Sequence, residues 1–370
     1  MALTAGALER IYAYCEGLQA SDVHLSSGES PRFRVQGRLE TYPEFPAMDG
    51  EGVDDIAMEL GLSTLPAGCP DGTERIRREL FAKGSIDGAV TSPSGARYRF
   101  NIFRESDSTA VALRRLESSS RSLVELGLPA GLAAFCKLTD GLILVTGPTG
   151  SGKSTTLASL IDTINSTRQA HIITIEDPVE YVHESRLSLV HQRQIGRDAR
   201  SFNEALVSAL RQDPDVILVG EVRELETIRT ALTAAETGHL VFATMHAGDA
   251  AGAIERLVGV FPADEQASVR HQLALVLRGV IAQHLLPGSL SKRVAAVELL
   301  VNTTGVANLI ATGRTAQIYS ALETGQGAGM IPLDRALADL ARRGEISEAT
   351  ALAAAHQPET FAKRLHGARG

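Results

Sequence analysis

The chain has 370 residues, 44% of them hydrophobic and 22% charged, which fits a globular protein of two or three domains at ~100–200 residues each. A net charge of −8, from 36 basic against 44 acidic residues, and the absence of tryptophan argue against sequence-independent nucleic-acid binding, so no nucleic-acid partner is expected. Cys15, Cys69 and Cys136 form no C-x-x-C pair, no apolar run approaches the ~18 residues of a membrane span, and no basic-then-apolar signal opens the chain. A zinc site of four cysteines is thus excluded, and a cytoplasmic protein that meets a membrane only through partners is expected.

In chain order, residues 3–19 place Leu8, Ile11, Tyr12, Cys15 and Leu18 at helical spacing. Ser21-Asp22-Val23-His24-Leu25 and Arg32-Phe33-Arg34-Val35 alternate polar and apolar, as strands of a small mixed domain do. Residues 50–83 read as mostly helical. Strands are expected at 88–90 and 96–103, around the turn Ser92-Pro93-Ser94-Gly95, and at 110–116. A polar stretch at 117–125 reads as a linker. It separates an N-terminal domain (1–116) from a C-terminal domain (126–370) in which strands alternate with helices as in a parallel α/β sheet. A strand at 293–300 precedes a mainly helical part at about 301–370, whose basic tail, 363–370, is expected to fray.

Inside the second domain the apolar run Leu142-Ile143-Leu144-Val145-Thr146 leads into Gly147-Pro148-Thr149-Gly150-Ser151-Gly152-Lys153-Ser154, with a helix expected from about Thr155. This is the G-x-x-x-x-G-K-[ST] loop in its strand-to-helix context. A chance glycine-rich turn gives the eight residues but not that context. The glycines let backbone N–H groups turn inward on phosphate oxygens, and the helix N-terminus adds a positive field. Lys153 reaches the β- and γ-phosphates, and the Ser154 hydroxyl suits a magnesium ion. ATP with Mg2+ is therefore expected on residues 147–155.

Three more predicted strands end in polar residues, where open α/β sheets bind ligands. The strand at 171–175 ends in Glu176-Asp177-Pro178, the one at 215–219 in Gly220-Glu221, and the one at 240–244 lies between His239 and His246. Phosphoryl transfer needs a carboxylate to orient magnesium or to polarise the attacking water. Glu221 follows a buried strand as a Walker B carboxylate does, with Gly220 at the usual aspartate position. Glu176 is the second candidate, and the spacing does not divide the two roles. Each histidine alone would be structural; beside these carboxylates the pair gains a catalytic reading.

The blocks at 173–180, 213–223 and 237–246, the loop, and Ser21-Asp22-Val23-His24-Leu25 together resemble the Asp box, atypical Walker B, His box, P-loop and N-terminal strand of the type II secretion and type IV pilus ATPases. Within that superfamily the chain is most similar to the PilT-like retraction ATPases of type IV pili. It opens almost at the S-D-V-H-L strand and has three scattered cysteines, whereas assembly ATPases usually carry a longer N-terminal part and a tetracysteine insert. The resemblance implies a PAS-like α+β N-terminal domain and a RecA-like ATPase domain in a homohexameric motor that hydrolyses ATP. It further implies an inner-membrane platform protein as partner, with a second retraction ATPase as a candidate partner, and a cytoplasmic location peripheral to that membrane. It places Arg99 and Arg114 on the arginines that approach the phosphates. One stretch departs from the pattern: Gly305-Val306-Ala307-Asn308-Leu309-Ile310-Ala311-Thr312 stands where retraction ATPases read A-I-R-N-L-I-R-E. Hydrolysis is expected to be intact and the coupling surface altered, as in a specialised or accessory motor. A RecA-like nucleic-acid translocase is the alternative outside the family.

Overall fold

The computed structural model describes residues 6–66, 68–116, 120–289, 292–359 and 361–362. The start of the expected first helix, residues 117–119 of the expected linker and the basic tail at 363–370 lie outside the described residues. The chain divides into two compact units, the first holding 1–119 together with Glu176–Val182 and Gln192–Ser201, the second holding the rest.

In the first unit, α1 (Ala7–Gly17) is followed by β1 (Asp22–Ser26), β2 (Arg32–Val35) and β3 (Arg38–Thr41), then α2 (Gly50–Leu62) and α3 (Gly72–Lys83), then β4 (Ser85–Thr91), β5 (Arg97–Glu105) and β6 (Ser108–Arg115). The strands form an antiparallel sheet in the order β3-β2-β1-β6-β5-β4. Alternation decides its faces: Tyr98, Phe100 and Ile102 of β5 are buried while Arg97, Arg99 and Asn101 between them are not. The inward residues meet Leu8, Ile11, Ile56, Leu60 and Ile76 of the helices in one core. The strand β3 went unseen in the sequence, because all four of its residues are exposed and it carries no alternation.

Among the described residues the second unit carries a seven-stranded sheet. Its strands are β7 (Gly141–Thr146), β8 (His171–Glu176), β9 (Leu189–Gln194), β10 (Val216–Val219), β11 (Leu240–Met245), β12 (Leu277–Pro287) and β13 (Arg293–Val301), in the order β13-β12-β7-β11-β10-β8-β9. Strands β12, β7, β11, β10 and β8 run parallel, and β13 pairs antiparallel with β12. Every residue of β7, β10 and β11 is buried, since helices cover both faces of a parallel sheet. The helices between these strands are α4 (Lys153–Thr167), α5 (Phe202–Ala209), α6 (Leu225–Glu236), α7 (Ala250–Gly259) and α8 (Gln266–Val276). After β13 come α9 (Thr304–Ala311), α10 (Ile318–Thr324), α11 (Leu333–Arg342) and α12 (Glu348–Ala354). Leu333, Leu337, Leu340 and Phe361 pack there with Ala296 of β13. Among the described residues, those after β13 are mainly helical; β9 and β12 were not foreseen. Among the described residues no helix is long and apolar enough to cross a membrane.

Candidate nucleotide site

The sheet order sets the carboxyl ends of β7, β11, β10 and β8 side by side, so the loops that leave them share one edge. From β7 the chain enters the loop at Gly147, whose φ is 147°. A Cβ there would lie 2.2 Å from the Gln283 carbonyl oxygen, so only glycine fits between loop and β12. Gly150 and Gly152 follow at φ 77° and 90°, and α4 begins at Lys153. Pro148, Thr149 and Gly150 are exposed, Ser151 is buried, and Ser154 and Thr155 open the first turn of α4. The loop is thus a cradle of left-handed glycines capped by a helix N-terminus, which suits an anion.

Lys153 curls back over the cradle, its Nζ donating to the carbonyl oxygens of Gly147 (2.8 Å) and Pro148 (3.0 Å). The cation is therefore already at the loop's rim and can exchange carbonyls for phosphate oxygens with little movement. Gln283 braces the loop from β12. Its Nε2 donates to the Ser151 carbonyl at 2.8 Å, and its Oε1 accepts from Thr156 Oγ1 of α4 at 2.6 Å. Gln283 is buried. Sequence reasoning missed it, although an amide within the apolar run Val280-Ile281-Ala282-Gln283 is itself a signal, because a buried amide needs partners.

The second wall comes from the ends of β10 and β11. Glu221 leaves β10 by way of Gly220, whose carbonyl accepts from Thr244 Oγ1, and the Val222 N–H donates to the Thr244 carbonyl at 2.9 Å. The Glu221 carboxylate lies 3.1 Å from His246 Nε2 and takes the Arg223 guanidinium on the same oxygen. Thr146, at the end of β7, exchanges two hydrogen bonds with Ala247: its Oγ1 donates to the carbonyl (3.0 Å) and accepts from the N–H (2.8 Å). The loop after β11 is thereby pinned to the strand that feeds the cradle. Asp249 caps α7 through the Gly252 N–H, and the next N–H, of Ala250, is taken by the buried carboxylate of Glu298 in β13 at 2.9 Å. Burial, only partly offset by that bond, pushes Glu298 up to about 7.

His239 is placed elsewhere. It opens β11 at the amino edge of the sheet, where its carbonyl accepts from the Gly141 N–H at the start of β7. Its ring is held by the Ala234 carbonyl at the end of α6 (2.9 Å). The expected histidine pair is therefore split by the length of a strand, with His246 beside Glu221 and His239 at the far end.

In the first unit, Arg99 and Arg114 face each other across β5 and β6. Arg114 Nε donates to Asp22 Oδ1 at 2.8 Å, and Arg34 stands 3.7 Å from the same carboxylate. Burial alone would raise Asp22, but the Arg114 and Ser21 hydrogen bonds more than offset it and hold the carboxyl below its usual range. Arg99 lies 4.0 Å from Glu180, and the half-buried Arg97 donates to the Val179 carbonyl at 2.6 Å. Glu176, the last residue of β8, accepts from Gln192 Nε2 at 3.2 Å within this unit. Asp22 and Arg97 were not picked out from the sequence as site residues; a buried aspartate on a short strand beside arginines is the signal that marks them.

Residues 94–330 match the family described as type II/IV secretion system protein. The chain is 42% identical over 354 residues to the type IV pilus retraction ATPase PilT of Pseudomonas aeruginosa, covering 96% of this chain and 99% of that one. It is 41% identical to a twitching motility protein of Neisseria gonorrhoeae, covering 95% and 92% of the two chains. The crystal structure of the pilus retraction motor PilT with bound ADP superposes with a TM-score of 0.86 at 40% identity, over 96% of this chain and 98% of that one.

Proposed function

Because the chain belongs to the type II/IV secretion system protein family, we propose that it is an ATP-hydrolysing motor that drives type IV pilus retraction and twitching motility. The observation that carries this reading is the coverage: 96% of this chain aligns with 99% of a retraction ATPase, so the likeness reaches past the nucleotide core into both units. ATP is the substrate. Residues 147–155 receive its phosphates on loop N–H groups, and Lys153 leaves the two loop carbonyls for the β- and γ-phosphates. The Ser154 hydroxyl would hold Mg2+, which when bound neutralises charge building on the γ-phosphate. Glu221, held by His246 and Arg223, polarises the attacking water and would be the carboxylate that holds the ion beside Ser154; Glu176 is the second carboxylate available for activating the water.

Arg99 and Arg114 supply positive charge to the transferring phosphoryl group from the first unit, which we read as the PAS-like domain, against a RecA-like second one. Homohexamer assembly, domain closure around ATP, and force passed to an inner-membrane platform protein belong to the same reading, with a second retraction ATPase as a candidate partner at a cytoplasmic, membrane-peripheral site. The stretch 305–312 enters here. It lies on α9, where Ala307 and Ala311 are half-buried and take the places of the two arginines in the retraction motif, so the coupling surface is apolar where the pattern is cationic. Turnover of Mg-ATP by the purified protein tests the reading. Lys153→Ala and Glu221→Ala are each expected to cut it by about 10²–10⁴-fold. Wild-type rates in both variants would refute hydrolysis at this site.

A further inference from the structure

Away from the nucleotide site, at the opposite end of β8, two imidazoles meet. His171 Nε2 lies 2.9 Å from His191 Nδ1 of the edge strand β9. The other ring nitrogen of His171, Nδ1, lies 3.0 Å from the Asp213 carbonyl. A carbonyl oxygen only accepts, so Nδ1 carries the hydrogen and Nε2 presents a bare lone pair. The hydrogen between the two rings then belongs to His191. The His171 backbone is bracketed as well: its N–H donates to Asp215 Oδ2 at 2.7 Å, and its carbonyl accepts from the Asp215 N–H at 2.9 Å. His191 is exposed and His171 half-exposed, so the paired rings can be reached from solvent.

This is the arrangement of a metal-ligating histidine, with the far nitrogen tied to a carbonyl and the near one aimed outward beside a second imidazole. Metal–nitrogen bonds of about 2.0–2.1 Å meeting at a right angle put two nitrogens about 2.9 Å apart; a tetrahedral angle would put them about 3.3 Å apart. The 2.9 Å held here by the hydrogen bond equals the spacing that a right angle needs, so an ion could replace the hydrogen with a rotation of the rings and no change in their separation. We infer that His171 and His191 form a chelate for a divalent ion that prefers cis, tetragonal imidazole ligands, Cu2+ first and Ni2+ second. No third histidine, cysteine or carboxylate completes a cluster among the described residues, so water fills the remaining positions. On binding, the His191 hydrogen moves from Nδ1 to Nε2, both rings stay neutral, and the ion replaces the hydrogen bond between them. The ion joins β9 to the first residue of β8.

The test is a titration of the nucleotide-free, full-length protein with Cu2+ supplied as its glycine complex, read by electron paramagnetic resonance. One equivalent of Cu2+ is expected per chain, with coupling to two imidazole nitrogens. His191→Gln and His171→Gln, made separately, are each expected to leave coupling to one imidazole and to weaken binding by about tenfold or more. Mg-ATP turnover without copper is expected to be unchanged in His191→Gln. The proposal is overturned if the wild type takes no copper from glycine, or if both variants bind with the same affinity and the same two-nitrogen signal.

Discussion

Gln283 does for the loop what glycine spacing alone cannot. Glycines make residues 147–152 able to turn, but that freedom is also a cost, because a loop free to wrap a phosphate is free to leave it. The amide resolves this by holding Ser151 and Thr156 from a neighbouring strand. Replacing it with leucine of similar size leaves the Ser151 carbonyl and the Thr156 hydroxyl without those partners in a buried place, a loss of about 1–3 kcal/mol. Gln283→Leu is expected to raise the KM for ATP by about tenfold or more with the fold retained, measured by turnover and by melting temperature. An unchanged KM would make the brace incidental.

Residues also mark where the sequence ran out. The cradle was legible because the strand before it and the helix after it carry unmistakable patterns, and Glu221 was legible because it ends an apolar strand. His239 was not separable from His246 by type, since both flank the same strand. Only the direction of β11 tells which one reaches the nucleotide edge. Gln283 and Asp22 stayed hidden because their meaning lies in partners 132 and 92 residues away in the chain.

At the scale of elements, the parallel strands declared themselves as short apolar runs, and β5 by its alternation. The edge strand β9 did not, since Leu189-Val190-His191-Gln192-Arg193-Gln194 is polar and has one neighbour in the sheet. The strand β12 was lost for a different reason: it begins at Leu277, directly after α8 ends at Val276, with no glycine or proline to punctuate the change. These two strands carry His191 and Gln283, so missing them hid both residues. The antiparallel pair β12–β13 also carries Glu298, whose carboxylate receives Ala250 at the start of α7. The backbone at the start of α11 supports it too, through a hydrogen bond from Leu333. One buried acid thus joins the turn after His246 to the C-terminal helices.

That acid has a consequence for stability. Its folded value is about 7 against 4.5 for an ordinary glutamate, so between those pH values the folded chain holds a proton that the unfolded chain has released. The stabilisation is complete below about pH 4.5 and is lost as pH rises through 7, a change on the order of 3 kcal/mol. His24 and His183 run the other way in the same window, because burial lowers them and the folded chain gains stability as the unfolded imidazoles lose their protons, so the bare pH profile mixes these effects. The difference between wild type and Glu298→Gln isolates the effect. Between pH 5 and pH 8 the wild type is expected to lose several degrees more of melting temperature than the variant. Equal losses would place the Glu298 carboxyl at an ordinary value.

At the scale of the whole chain, the two units are built on different rules. The first is an antiparallel sheet that carries Arg99 and Arg114 on the neighbouring strands β5 and β6, the second a mainly parallel sheet whose polar residues gather at its strand ends. If Arg114 acts on the transferring phosphate, Arg114→Ala should leave ATP affinity within about threefold while lowering turnover by tenfold or more. Its loss also frees Asp22 from the bond that holds its carboxyl low, so the variant should be compared with Asp22→Asn, which alters the same ion pair and keeps the arginine. A fall in ATP affinity with turnover per bound nucleotide intact would assign Arg114 to binding instead.

Whether ATP hydrolysis at the 147–155 loop powers pilus retraction can be read in living cells. Retraction events of labelled pili would be counted in a strain that lacks this chain, then after return of the wild type or of Lys153→Ala at equal expression. The wild type is expected to restore retraction and Lys153→Ala is expected not to. Equal restoration by both would contradict that role for the loop.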